Sequence, residues 1–371
     1  MWLTHRFSLT SLVAFFLSGV LIASNTQASD TLLRPALMSD KVTQSLLLDI
    51  TSAGDRLVAV GERGHIIFRD PDQQWQQAQV PVIAHLTAVD FPTPQLGFAV
   101  GHEGIILRSE DAGESWELVH HELVVGPRRA QEKIPDAEAA LEEAEEVGDL
   151  MDIEMLEMEL DDLYFLAEAD EVPPLLDIHF ISSEQGFALG GYNLFLVTED
   201  GGETWTSRKE ALPNPEELHN NAIARDATGR LFIAGERGSI YRSEDQGLSW
   251  EDISPGYQGS LFSIFATRDG LLVTTGLRGN IFISRDGGET WMQPDNQAEQ
   301  TLNGGLLMED GQLLIIGQNG EYLIGNSDRL VHQTLPGRFS LQAVASQQGE
   351  IFAVGRGGVH RLPLLLPAAS R

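Results

Sequence analysis

A phrase of the form strand, Gly, two variable residues, Gly, strand recurs seven times. No other feature constrains the fold of this chain as strongly. It reads Val60-Gly61-Glu62-Arg63-Gly64, then Val100-Gly101-His102-Glu103-Gly104, then Gly190-Gly191-Tyr192-Asn193, where Asn replaces the second Gly. It continues as Gly235-Glu236-Arg237-Gly238, Gly276-Leu277-Arg278-Gly279, Gly317-Gln318-Asn319-Gly320 and Gly355-Arg356-Gly357-Gly358. The leading glycines step by 40, 89, 45, 41, 41 and 38 residues. The long step is one period plus an insertion. In the copy around Gly276, Leu261–Ala266, Leu271–Thr275, Asn280–Ser284 and a segment from Trp291 read as four short antiparallel strands. Four strands per period of about 41 residues is the pattern of a propeller blade. The expected fold class is all-β: a seven-bladed β-propeller with an acidic α-helical insertion between blades two and three.

A second phrase, Ser/Thr-x-Asp-x-Gly-x-x-Trp, occurs at Ser109-Asp111-Gly113-Trp116, Thr198-Asp200-Gly202-Trp205, Ser243-Asp245-Gly247-Trp250 and Ser284-Asp286-Gly288-Trp291. It fits a turn between the third and fourth strands of a blade. The Asp carboxylate accepts backbone N–H bonds of its own turn. The Gly takes a positive φ, and the Trp fills a seam. A residue repeated identically around a ring serves structure, so these aspartates are read as structural and not catalytic. Copy one holds a decayed form (Asp70, Asp72, Trp75), and copies six and seven have lost it. Such turns are Asp boxes, also called bacterial neuraminidase repeats.

The segment Leu96 to Trp116, with Gly-Phe-Ala-Val-Gly leading into an Asp box, resembles the photosystem II stability and assembly factor family of seven-bladed propellers. The resemblance covers the chain outside the insertion and the leader. It implies a non-catalytic chaperone of assembly intermediates of a membrane complex, with an arginine-rich face. It also implies relatives in non-photosynthetic bacteria that accompany efflux-type transporters. The expected partner is a membrane protein complex or its exported segments. The alternative is a glycan-binding or sialidase-like propeller. A sialidase needs three arginines on a carboxylate and a Tyr-Glu nucleophile pair. Here only Tyr192 and Tyr322 lie near turns, with Glu321 as the one evident partner.

In a blade, the second-to-third-strand turns and the crossings to the next blade share one face, and the Asp boxes lie on the other. Arg63, Arg237, Arg278 and Arg356 are therefore expected on one face, either as solvated turn residues or as a basic rim. Arg suits bidentate carboxylate binding. The insertion, residues 126–174, falls in such a crossing and should emerge on the same face. Between Ala130 and Val172 it carries 17 Asp/Glu and one Lys. Asp136–Glu146 and Asp149–Ala167 read as two helices about Gly148. Ile153, Leu156, Leu160, Leu163 and Ala167 form an apolar stripe, with Met151, Met155 and Met158 beside it. The pair either packs on itself and the propeller or serves as a docking arm. It is also placed to cover the arginines in cis.

Of the 371 residues, 24 are Lys or Arg and 55 are Asp or Glu, a net charge of -31. That excludes non-specific nucleic-acid binding, since phosphate is repelled. There is no Cys, which excludes disulfides and thiolate metal sites. The ten His show no paired ligand spacing, so no cofactor or metal is expected. His5 and Arg6, the apolar run Phe7–Ile22 and Thr26-Gln27-Ala28 read as a signal peptide over residues 1–28. The expected product is residues 29–371, periplasmic or lumenal, monomeric and without a membrane span. Ring closure is expected from Thr31–Leu37 pairing into the last blade, with Leu364–Leu366 as the competitor.

Overall fold

The computed structural model describes residues 34–363 except 149, 170 and 171. The expected leader and Leu364–Leu366 lie outside these residues. Seven antiparallel sheets follow one another along the chain and fit seven blades. Blade 1 is Leu47–Ala53, Arg56–Gly61, Ile66–Arg69 and Gln76–Gln77; blade 2 is Leu86–Asp90, Gly97–Gly101, Ile105–Ser109 and Glu117–His121. Blade 3 is Leu175–Phe180, Gly186–Gly190, Phe195–Thr198 and Thr206–Ser207; blade 4 is Asn220–Arg225, Leu231–Gly235, Ile240–Ser243 and Glu251–Asp252. Blade 5 has Leu261–Ala266, Leu272–Gly276 and Ile281–Ser284, with its fourth strand reduced to a bridge between Ile283 and Met292. Blade 6 is Leu302–Leu307, Leu313–Gly317, Glu321–Gly325 and Leu330–Thr334, and blade 7 is Leu341–Gln347, Glu350–Gly355 and Gly358–Leu362. The four strands of a blade are called A to D in chain order.

The A strands form a ring of neighbours, and strand A of blade 7 touches strand A of blade 1. The apolar core is divided among the seams. Trp116 of blade 2 packs with Val58 and Val60 of blade 1, and Trp205 of blade 3 with Phe98 of blade 2. Between blades 7 and 1, Phe352 and Val354 meet Leu47, Leu57 and Ile67. Each blade thus buries one face on each neighbour, which is how short strands without disulfides obtain a core.

Polar side chains stitch the blades along the ring. Asp49 accepts the N–H of Val89, and Asp90 that of Phe180. Asp177 accepts the N–H of Ile223, Asn221 donates to the carbonyl of Leu261, and Asn303 to that of Leu341. All seven A strands share a one-residue register shift after their first residue, as between Leu47 and Asp49 or Leu175 and Asp177. A bulge of this kind re-aims the residue that follows it. Here that residue is Asp49 in blade 1 and Asp177 in blade 3.

Two expectations change. Within the described residues, the segment expected to pair into blade 7 lies on blade 1 instead. Ala36 donates to the carbonyl of Val80 at 2.9 Å. The Gln77 side chain accepts from Ser39 N–H at 2.8 Å and donates to the Leu37 carbonyl at 2.9 Å. One amide thus satisfies two backbone groups, and Val42, buried in the seam of blades 7 and 1, fixes the path beyond. Second, strand D of blade 2 stops at His121, and helix α1 runs Glu122–Val147, ahead of the expected insertion start at residue 126 and the expected helix start at Asp136. It carries Pro127 and Pro135 inside it. Each proline removes one helix bond, and packing against helix α2, Leu150–Ala167, holds the helix through both. Gly148 ends α1 in the left-handed conformation at φ 77°.

Candidate functional site: the arginine-bearing end of the propeller

The B-to-C turns share a geometry that the repeat foretold only in part. After the strand-ending glycine comes one residue of 3-10 turn, then an apex residue in the left-handed region. The apex residues are Arg63, Glu103, Tyr192, Arg237, Arg278 and Asn319, with φ between 50° and 62°. Left-handed backbone is costly for a side chain. It is tolerated here because the flanking groups are bonded: Gly61 N–H donates to His65 C=O and Gly64 N–H to Ala84 C=O. Gly64 itself has no room for a side chain, since a Cβ would lie 2.0 Å from the Val82 carbonyl oxygen. In blade 3 Asn193 replaces this glycine. Its carbonyl oxygen accepts from the amides of Asn214 and Asn220, and its own amide donates to Lys209 C=O.

Arg63, Arg237 and Arg278 are exposed at their apices. Arg356 is exposed too, but one residue earlier in its turn, because Gly357 takes the apex at φ 85°. The four lie at the same end of the sheets but not at one point. Blade order puts Arg356 beside Arg63 on blades 7 and 1, and Arg237 beside Arg278 on blades 4 and 5. Arg237 is already paired with Glu216. Among the described residues, Arg63, Arg278 and Arg356 have no ion-pair partner.

A further arginine joins the first pair and was missed in the repeat. Arg338 lies in the crossing from blade 6 to blade 7, exposed and at φ 52°. Its Cα would lie 2.9 Å from a Cβ built on Gly320 of the blade 6 turn. Its neighbour Ser340 accepts the N–H of Arg356 at 2.9 Å. The signal was available, since crossings share the face of these turns, but the crossings carry no repeated phrase. Phe339 stacks on His360 at 5.0 Å between the two arginines in sequence. The arc is Arg338, Arg356 and Arg63, beside an aromatic pair.

The helical pair leaves from the same end. The Cβ of Glu122 sits 2.4 Å from where a Cβ on Gly104 would be, so α1 starts against the blade 2 turn. Glu122 is buried and receives His120 Nε2 at 2.8 Å and Arg129 Nη1 at 3.2 Å. Ala130, Ile134 and Ala137 of α1 pack on Leu160, Leu163 and Ala167 of α2. Among the described residues, no ion pair joins the helices to Arg63, Arg237, Arg278 or Arg356; Arg128 and Arg129 pair with Glu132 and Glu122.

The Asp boxes, at the C-to-D turns, close as expected. Asp111 accepts from Ser109 and Ser115 hydroxyls and from Ser115 N–H at 2.9 Å. Asp200, Asp245 and Asp286 repeat this with Thr204, Ser249 and Thr290. The hydroxyl residue before Trp is thus part of the motif, a position the initial phrase left variable. It and the turn's N–H groups hold the Asp286 carboxyl down at about 2, below the ordinary carboxylate range. Trp116 and Trp250 donate to Gly113 and Gly247 carbonyls, and Trp291 to Ile253 of blade 4. Trp205 is buried in the seam with blade 2. In decayed copy one, Asp70 pairs with Arg56 at 2.7 Å. Every carboxylate of the four boxes accepts hydrogen bonds from its own turn.

Tyr322 is buried and its neighbour Glu321 faces His332 and Gln300 N–H, while Tyr192 stands exposed against His219. No Tyr-Glu nucleophile pair is presented at either position. Among the described residues no three His, Asp or Glu groups are placed to share a metal ion.

The family model described as photosynthesis system II assembly factor YCF48 matches residues 166–324. A photosystem II assembly lipoprotein Ycf48 of Synechococcus sp. (strain CC9902) is 34% identical over 76 residues. That match spans 20% of this chain and only 22% of the relative's length. A solved structure of YCF48 bound to D1 peptide has TM-score 0.59 and 16% identity, covering 88% of this chain and 96% of that one. YCF48 from Cyanidioschyzon merolae gives TM-score 0.59 and 14% identity, covering 88% and 97%. The WD40 β-propeller domain of Doa1 gives 0.57 and 13%, covering 89% and 95%. At these identities the structures speak for the fold alone. The chain is accordingly similar to photosystem II assembly factors over residues 166–324 and shares their propeller fold.

Proposed function

We propose that this protein is a non-catalytic, exported assembly or accessory factor for a membrane protein complex, and that its arginine-bearing end takes a carboxylate-rich extended segment of that complex. The observation that carries the reading is the arc Arg338, Arg356 and Arg63. All three are exposed and without an ion-pair partner among the described residues, in a chain with more than twice as many acids as bases. Unspent guanidinium groups in an acidic protein are suited to carboxylates, which they bind in a bidentate way. The solved YCF48 holds a D1 peptide, and a peptide is the ligand class expected here. The remaining acidic surface repels other anions, so recognition is confined to this end.

The test is a titration of the full chain with an extended peptide rich in Glu and Asp and bearing a free terminal carboxylate. The comparison peptide has Gln and Asn in their place and an amidated end. Binding of the first and not the second, weakened by Arg63→Ala, Arg338→Ala and Arg356→Ala together, is expected. Equal binding of both peptides, or indifference to the triple variant, defeats the reading. Recovery of a photosystem or of a transporter with the tagged chain from the native envelope then names the complex, in a lumen or a periplasm.

A further inference from the structure

Helix α2 has two apolar faces. Helical residues are 100° apart, so positions two apart point to opposite sides. Leu160, Leu163 and Ala167 turn toward α1 and pack on it. Met155, Met158 and Phe165, spaced by three and seven, form a stripe on the opposite side. They are 62%, 67% and 77% exposed. Glu154 and Asp161 border this stripe on one side and Glu159 on the other, with Asp162 between Met158 and Phe165. All four are exposed.

An isolated surface Leu or Phe is ordinary. The Met-Met-Phe stripe runs along one helix and is divided by Asp162, and flexible thioethers adapt to a partner's shape. Its acidic border decides what covers it. An anionic lipid surface is repelled, and so are nucleic acid and a second copy of this chain. A helix with its own apolar stripe, flanked by Lys or Arg, matches both the stripe and the border.

We infer that the outer face of α2 is a docking site for a basic amphipathic helix of a partner protein. It is separate from the arginine arc and of opposite charge, so the two ends of one assembly partner, or two subunits, are engaged by different chemistry. Helix α1 is anchored at its start on blade 2 through Glu122, His120 and Arg129, so the pair emerges from the arginine-bearing end.

The experiment uses the full chain and a synthetic helical peptide of about 18 residues, long enough for five turns. It carries Leu at helical spacing on one side and Lys elsewhere. Two control peptides carry the same residues scrambled, or Glu in place of Lys. The expected result is binding of the first peptide alone, weakened about tenfold or more in the Met155→Ser, Met158→Ser, Phe165→Ser variant, as loss of central apolar anchors implies. The Met155→Leu, Met158→Leu variant retains it. These positions are exposed, so the variants leave the hairpin's own packing intact. Equal binding of the scrambled peptide means charge alone, and unchanged binding by the Ser variant means another surface. Either result overturns the proposal. So does self-association of the wild-type chain that the Ser variant abolishes, which assigns the face to a second copy.

Discussion

Asp177 in strand A of blade 3 accepts the backbone N–H of Ile223 in blade 4 at 2.8 Å, and its other oxygen accepts from Ile178. The inner ring is thus held partly by carboxylates in poorly solvated positions. Burial pushes Asp177 up to about 8, with Asp49 and Asp90 adding to it, and burial pushes Asp49 up to about 6. Both lie above the ordinary value near 4.

A group whose pKa is higher folded than unfolded favours the fold while protonated in both states. The stability it lends is complete below about 4 and is lost as pH rises through about 6 for Asp49 and 8 for Asp177. The melting temperature is therefore expected to fall steadily from pH 5 to pH 8.5 at constant ionic strength. A melting temperature that rises across that interval contradicts this account of the ring.

The Asp boxes work in the opposite sense. Asp286 is held at about 2 by Thr290 and its turn, so its contribution is present above about 4 and lost as pH falls toward 2. Acid unfolding should begin in this window. Replacing Asp111 with Ala removes an acceptor used by Ser109 and Ser115 and should cost about 1–2 kcal/mol, read from the urea midpoint, with peptide binding at the arginine end unchanged.

Gly202 of the blade 3 Asp box sits at φ 83°, and a Cβ there would lie 2.4 Å from the Phe98 ring of blade 2. Gly202→Ala combines left-handed strain with overpacking of a rigid aromatic. A loss of about 2–4 kcal/mol follows, measured by denaturant unfolding. Gly256→Ala is the comparison, since nothing lies within 4 Å of a Cβ there although φ is 78°. It should cost only the strain, about 1 kcal/mol.

The arginines should not be equivalent. Arg237 already pairs with Glu216, and a ligand carboxylate must displace that partner. Arg63→Ala and Arg338→Ala are expected to weaken an acidic peptide more than Arg237→Ala does, and Glu216→Gln should strengthen it. Isothermal titration at low and high salt checks both, since rim charges are screened.

Glu122 ties the helical pair to blade 2. Glu122→Ala leaves the buried His120 and the Arg129 guanidinium without their shared carboxylate. Faster proteolytic cleavage between residues 122 and 167, with the propeller fragment intact, is the expected outcome. Equal cleavage throughout would mean that the helices and the blades unfold together.

The sheet count was legible in the sequence because a propeller repeats its local chemistry. Seven strand-ending glycines, each followed by a left-handed apex, announce seven B-to-C turns, and four Asp boxes announce C-to-D turns. A residue outside the repeat carries no such mark. Arg338 sits in a crossing of irregular length, and only its closeness to Gly320 shows that it shares the end with Arg63 and Arg356. The expected convergence of four arginines became two pairs, because blade order, not turn type, decides who stands beside whom.

By itself the sequence determined what is local: strand and turn types, the helices of the acidic insertion, and the residues at each apex. Only the tertiary structure decided which blades meet, where the segment after residue 33 runs, and which face of α2 is left outward. The physical reason is the range of the forces. Backbone conformation is set by neighbours a few residues apart. The closing contacts of Gln77, the ring stitches of Asp177 and the exposed stripe of Met155 depend on surfaces brought together from distant parts of the chain.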